Sequence, residues 1–312
     1  ERMEALLQLL FNGLSVGAVY ALFALGYTLV FSVLGVINFA HGAIFTLGAY
    51  FTYLLIGGAV GANGLLAGLQ LPFALPFWLA LPLAGVAAAA VALVVERIAF
   101  RPLRDRGSDP LLALITSLGA GVILVNLIQL LVGAESYSIP VGTLGSLPAA
   151  LSIAGAKVRT VQVILLAIAG LLLAALSIWI DGSRSGKALQ AVSEDPVTAQ
   201  LLGINSSRMI QISFGISGFL AGVAGGLVGL SVSIAGPYFG IGYGLKGLGV
   251  LVLGGLGSVP GAVLGGLIIG LAEACVPAEL SGYKDAVSFG FLFLVLLIRP
   301  QGLLGRPQPN KV

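Results

Sequence analysis

The 312 residues are 58% hydrophobic and only 9% charged, where a soluble domain carries about a quarter of its residues charged, so the composition excludes a soluble globule and places the chain in a bilayer. Fifteen Lys and Arg against twelve Asp and Glu leave a net charge of +3, and their bunching excludes a basic nucleic-acid face or a disordered tail. The 46 glycines lack the period of three of collagen and suit membrane helices that approach closely, while the lone Cys275 excludes an internal disulfide and a Cys-based zinc site.

Charge-free runs map the spans in chain order. No Asp, Glu, Lys or Arg occurs between residues 5 and 95, a run long enough for three crossings, cut at 6–33, 43–56 and 75–95 by the breaks at 35–42 and 57–72. The opening run is too long for the apolar region of a signal peptide and reads as a retained helix. Further helices are expected at 111–132, 161–180, 210–234 and 286–298. Between 245 and 276 the chain stays apolar but is interrupted by many glycines and Pro260, which predicts two short spans meeting near Ser258–Pro260 or a re-entrant pair. The spacings Gly257–Gly261–Gly265 and Gly218–Gly222–Gly226 are small-xxx-small patterns, predicting helix packing through those faces.

Basic residues set the orientation. Residues 96–109 carry Arg97, Arg101, Arg104 and Arg106; 181–208 carry Arg184, Lys187 and Arg208; the tail carries Arg299, Arg306 and Lys311. These ten predict cytoplasmic segments, leaving Arg2, Lys157, Arg159, Lys246 and Lys284 for the other side. The predicted fold is an all-α polytopic membrane protein, 1–312 forming a single transmembrane domain with the N-terminus outside and the tail inside. An odd number of crossings follows, seven plus a re-entrant pair or nine, with nine favoured.

Signs of catalysis are missing. One histidine, no Cys/His cluster, no HExxH, no GxSxG and no acidic pair on one helical face leave little for metal, nucleophilic or acid–base chemistry. GSRSGKA at 182–188 resembles a phosphate loop but is one residue short between its glycines and has Ala where a hydroxyl must reach Mg²⁺. No catalytic or metal-ligating residue is expected, nor any cofactor in this chain.

The long hydrophilic segment, DGSRSGKALQAVSEDPVTAQLLGINSSR at 181–208, is patterned. Ser193, Glu194, Asp195 and Pro196 read as a helix start, Val197, Ala199, Leu201 and Leu202 as its apolar spacing, and Gly203 as its stop. Such a helix is either a docking knob or a surface helix lying on the protein's own loops. Residues 96–109, with Pro102 and Gly107, read as a solvated connection.

Three stretches together carry a resemblance: NGLSVGAVY at 12–20 with GVINFAHG at 35–42; EDPVTAQLLGIN at 194–205; and GGLGSVPGAVLGG at 254–266 with YKD at 283–285. The chain resembles the high-affinity branched-chain amino-acid permeases of bacterial ATP-binding-cassette importers and their relatives for neutral amino acids and urea. In those permeases a cytoplasmic Glu-Ala-Ala-x-x-x-Gly loop docks on the ATPase. Aligned on Gly203, this chain keeps Ala199 but has Val197 for the Glu and Thr198 for the first Ala, with Glu194 and Asp195 as nearby carboxylates. The resemblance implies a multi-pass protein of the bacterial inner membrane, paired with a second similar permease, two cytoplasmic ATPases that hold ATP and Mg²⁺, and an external binding protein. It also implies that Glu194, Asp195, Pro196, Ala199, Leu201, Leu202 and Gly203 couple to the ATPase. Leucine-type amino acids, small neutral amino acids and urea all fit the motifs.

Asn38, His41 and Glu273 interrupt apolar stretches, and polar groups in hydrocarbon are either paired or line a pathway. Lys246 and Lys284 are the candidate partners of Glu273. The competing class is an ion-driven secondary transporter, for which more than one buried carboxylate and an internal repeat are expected.

Overall fold

Each apolar run folds into a helix because hydrocarbon offers the backbone no other hydrogen-bond partner. In the computed structural model, which describes residues 2–107, 109–145, 147–148, 150–153 and 156–305, the chain is predominantly helical. Arg306 and Lys311, used in the charge map, lie outside the described residues.

Helix α1 (Arg2–Leu34) stops at Gly35, whose positive φ of 65° a glycine adopts without strain. A non-helical stretch then leads to α2 (His41–Leu55), which is followed by α3 (Phe77–Val95). A π-turn at Glu96–Phe100 and the short α4 (Arg101–Asp105) continue from α3. Helix α5 (Pro110–Val132) opens with Asp109 accepting from the Leu111 N–H, and α6 (Thr160–Gly182) runs into α7 (Arg184–Glu194), α8 (Pro196–Leu201) and α9 (Ser206–Ser231). The last three are α10 (Phe239–Gly254), α11 (Val259–Ala274) and α12 (Lys284–Ile298). Short strands β1 (Ser136–Tyr137), β2 (Ala150–Ile153), β3 (Ala156–Arg159) and β4 (Ile234–Ala235) form two antiparallel pairs, β1 with β4 and β2 with β3.

Among the described residues six helices are long and apolar enough to cross a bilayer, within α1, α3–α4, α5, α6, α9 and the segment Glu279–Ile298. Helices α10 and α11 meet at a 120° bend and raise the count to seven if they form one span. The expected nine exceeds this because α2, α10 and α11, at 15, 16 and 16 residues, fall short of the roughly 20 that span a core. The bend lies where the sequence placed it: α10 ends at Gly254, and Ser258 caps α11 by accepting from the Gly261 N–H.

Helices α1 and α9 form the buried centre, while α5, α6 and α12 face outward. Helix α1 lies along α11, and α9 lies in the angle between α2 and α3. Backbones touch there. A Cβ on Gly17 would stand 2.8 Å from the Gly266 carbonyl oxygen, and one on Gly222 would stand 2.5 Å from the Ala88 Cβ and 3.0 Å from the Gly85 Cα. Gly218 comes as close to Ala88, Ala89 and Ala92, and Gly226 to Leu81 and Thr52. Gly261 and Gly265 face Gly254 and Val250, so they close the bend between α10 and α11. Gly257, by contrast, lies in the turn before α11 with φ of 79° and belongs to no helix face. The small-xxx-small spacing runs one turn past the cap at Ser258, where the helix no longer continues.

Gly222→Ala should therefore lower the melting temperature of the purified protein, since an added methyl in a full interface costs about 1–3 kcal/mol. Gly119→Ala on the outer side of α5, where a Cβ meets nothing within 4 Å, should leave it unchanged or higher. Size-exclusion of heated samples checks both, and equal melting of the two variants would contradict the close contact.

Candidate docking surface and buried polar clusters

The hydrophilic segment folds into two helices where one was expected. Ser183 caps α7 by accepting from the Gly186 N–H, 2.9 Å away, so the stretch that looked like a phosphate loop is the junction of α6 and α7. Leu189 and Val192 bury the inner face of α7, and their spacing of three is the sequence signal for this helix. Asp195 alone caps α8. Its Oδ1 accepts from the Val197 N–H at 2.9 Å and the Thr198 N–H at 3.2 Å, and its Oδ2 accepts from the Thr198 hydroxyl. Ser193 instead donates to the Gln190 carbonyl, and Glu194 ends α7. Gly203, with φ of 84°, ends α8 and lets the Ile204 N–H return to the Ala199 carbonyl.

Ala199 is buried, and Ser206 donates to the Pro196 carbonyl at 3.2 Å, so α8 is pinned to the start of α9. Its other side is bare: Val197, Leu201 and Leu202 are 68%, 83% and 76% exposed. Two apolar side chains on a six-residue helix and a third, Leu202, at its C-terminal cap, held by a capping carboxylate, a stop and an anchor, form a preorganised knob. The hydrogen bonds from Thr198, hydroxyl first and then backbone, together with the Val197 N–H, hold the Asp195 carboxyl below its ordinary pKa.

Residues 96–105 are not the solvated connection that was expected. Glu96 is buried, with Arg104 Nη1 donating to its Oε1 at 3.1 Å. Arg104 Nη2 reaches the Ser207 hydroxyl at 3.3 Å, and the Phe100 ring lies 5.0 Å from that of Phe214. A charge-free map cannot show this pair, because Glu96 marks the end of its run.

Two buried polar clusters account for Asn38, His41 and Glu273, and the structure keeps them apart. Asn38 holds the break before α2, accepting from the Ala40 N–H at 3.2 Å, and Ser117 of α5 clamps the same break by donating to the Ile37 carbonyl and accepting from the Phe39 N–H. His41 places Nε2 at 3.1 Å from the Phe23 carbonyl and Nδ1 at 3.2 Å from the Ser217 hydroxyl. Phe23, Phe45 and Tyr243 form the aromatic layer between this cluster and the next.

In the second cluster Glu273 of α11 meets Lys246 of α10 at 2.9 Å, Tyr20 of α1 at 2.8 Å and Ser288 of α12. Lys246 also reaches Asp285 at 2.8 Å. Lys246, assigned from sequence to the far side, is thus a helix-interior residue; its acidic partners are distant in sequence, so an isolated lysine among glycines looked like a loop. Of the two candidate partners of Glu273, the ion pair goes to Lys246. Both carboxylate oxygens are engaged, and the adjoining cavity, lined by Lys246, Gly249, Ile269, Ser288, Phe289 and Leu292, is about 10 Å³, room for at most one water. Among the described residues no group of His, Cys, Asp and Glu could hold a metal ion.

These features describe a polytopic helical membrane protein with an exposed apolar helix on its surface and a buried lysine–glutamate pair between its helices. The chain belongs to the family described as the branched-chain amino acid transport system permease component, whose sequence profile matches residues 9–296. It is similar to the high-affinity branched-chain amino acid transport system permease protein LivH of Escherichia coli K12, 40% identical over 323 aligned positions covering 100% of this chain and 99% of that one. It is likewise similar to the permease protein BraD of Pseudomonas aeruginosa, 39% identical with 98% of each chain covered. LivM of Salmonella typhimurium is 28% identical over 94% of this chain and 69% of its own. No solved structure matches the chain.

Two measurements check these sites. Lys246→Met strands Glu273 without its counter-charge and should cost on the order of 3–5 kcal/mol; replacing Glu273 by Gln in the same chain should recover part of the loss in thermal unfolding, which independent residues would not do. Asp195 has a depressed folded pKa, so its capping contribution is present above the ordinary aspartate pKa and is lost as pH falls through the lowered one. Protection of the Val197 and Thr198 amides against exchange, relative to their intrinsic rates, should fall in Asp195→Ala at neutral pH and in the wild type only on acidification below that range.

Proposed function

We propose that the chain is the membrane-spanning permease subunit of an ATP-driven importer of branched-chain amino acids. It works beside a second permease of the same fold, two cytoplasmic ATPases that hold ATP and Mg²⁺, and an external binding protein that delivers substrate. The observation that carries the reading is α8, a capped, anchored helix that exposes Val197, Leu201 and Leu202. Family membership and the names of the relatives LivH, BraD and LivM supply the substrate class and the pairing of two permeases, and they favour branched-chain amino acids over urea. An ion-driven cycle needs a carboxylate free to exchange its ion; of the two buried carboxylates among the described residues, Glu273 holds Lys246, Tyr20 and Ser288, and Glu96 holds Arg104.

In this reading α8 is the coupling helix and residues 181–208 face the cytoplasm. The nine crossings are α1, the segment 35–55, α3, α5, α6, α9, α10, α11 and α12. Two hydrogen bonds support the orientation. Arg104 to Ser207 puts both basic segments on one side, and Gln162 to Asn12 sets the start of α6 beside the early turns of α1, opposite the end that leads into α7. With basic loops inside, the early turns of α1 lie outside. Asn38 and His41 then line the hinge before α2 rather than binding substrate.

Leu202→Asp tests the coupling role, because a charge pressed into an apolar groove without a partner costs on the order of several kcal/mol. Co-purification of the ATPase or binding-protein-stimulated hydrolysis should be lost while the permease stays folded; unchanged uptake would move the coupling role elsewhere. Orientation is checked with Ser185→Cys in a Cys275→Ser background. Impermeant maleimide should label it only after the membrane is opened, and labelling of intact cells would invert the topology.

A further inference from the structure

The buried ion pair that follows α3 contacts neither candidate cluster. Glu96 is 1% exposed and opens the π-turn. A buried ion pair adds little net stability over apolar packing, and single-turn π-bulges recur at functional sites. What sets this pair apart is the second branch of its guanidinium. Arg104 Nη1 is 3.1 Å from Glu96 Oε1, while Nη2 is 3.3 Å from the Ser207 hydroxyl in the first turn of α9. The neighbouring Ser206 donates to the Pro196 carbonyl at 3.2 Å, in the first turn of α8. The fork of an arginine can hold two helices in fixed geometry where a lysine offers a point charge. The Phe100–Phe214 ring contact backs it from the apolar side.

We propose that Arg104 is a positioning residue of the transport cycle: with Glu96 and Ser207 it ties the start of α9, and through Ser206 the helix α8, to the α3–α5 hairpin. This rests on the reading of α8 as the coupling helix. A displacement imposed on α8 by the ATPases then carries α3, the π-turn and α9 as one body. It also reaches α5, which packs on the π-turn and clamps the break before α2 through Ser117. Coupling is thereby shared between the apolar knob, which receives the push, and a polar tie, which distributes it.

The test uses the complete transporter in nanodiscs, comparing Arg104→Lys, Ser207→Ala and Leu202→Asp for melting, basal ATPase activity, and stimulation by the loaded binding protein. Arg104→Lys keeps the charge opposite Glu96 but loses the fork, and Ser207→Ala leaves the ion pair untouched. Both should melt as wild type, keep the ATPases bound and keep basal hydrolysis, while stimulated hydrolysis and uptake fall by about tenfold, within the range of ordinary coupling energies. The double variant should be no worse than the more severe single one, since both cut the same tie. Wild-type stimulation in both single variants overturns the proposal. So does a loss of basal and stimulated hydrolysis in step with a lowered melting point, which marks a structural ion pair only. If Leu202→Asp is also silent, the coupling role of α8 fails and the proposal with it; if Leu202→Asp uncouples and the other two do not, the tie alone fails.

Discussion

Everything in this fold depends on helix backbones touching. Lipid tails are as apolar as leucine, so burying a leucine between two membrane helices gains little, and packing and close approach must supply the attraction. Glycine at Gly17, Gly222 and Gly270 removes the Cβ that would hold the backbones apart. These contacts set α9 into the angle of α2 and α3 and lay α11 along α1. The outer helices α5, α6 and α12 lack such contacts over most of their length and present leucine, isoleucine, valine and phenylalanine outward.

Once the backbones are that close, the polar groups between them lose access to water, and all but the Tyr50 hydroxyl among the buried side chains described find a partner. His41 does so with a carbonyl and a hydroxyl, Glu273 with a lysine, a tyrosine and a serine from three other helices. The break before α2 is held by Ser117, which supplies the hydrogen bonds that helix geometry no longer provides there. A chain built in this way can keep non-helical backbone inside the membrane because protein surrounds it.

Most of the helices, the bend at Ser258 and the knob at Pro196–Gly203 were legible in the sequence, because each rests on local signals: missing charges, a capping side chain, a glycine stop. The partners were not. Lys246 looks like a loop residue until Glu273 and Asp285 come beside it, and Tyr20 and Ser288 carry no mark that they share a carboxylate. Gly257 fits the small-xxx-small spacing in one dimension but precedes the cap of α11, so periodicity overreached. Helix α7 carries its own local signals, the cap at Ser183 and the apolar spacing of Leu189 and Val192, but they overlap the phosphate-loop likeness of 182–188. What escaped was tertiary pairing, which one sequence does not encode position by position.

The pairing of α1 with α11 also sets a schedule for biogenesis. Tyr20 and its acceptor Glu273 are 253 positions apart, and at synthesis rates of about 5–20 residues per second α1 waits in the translocon's vicinity for more than ten seconds before α11 emerges. Until then its glycine face and the Tyr20 hydroxyl lie open to lipid or to a chaperone. The centre of the protein is thus among the last parts to be completed. Stalled or truncated chains would expose the same glycine face that holds the finished molecule together, a natural mark for membrane quality control.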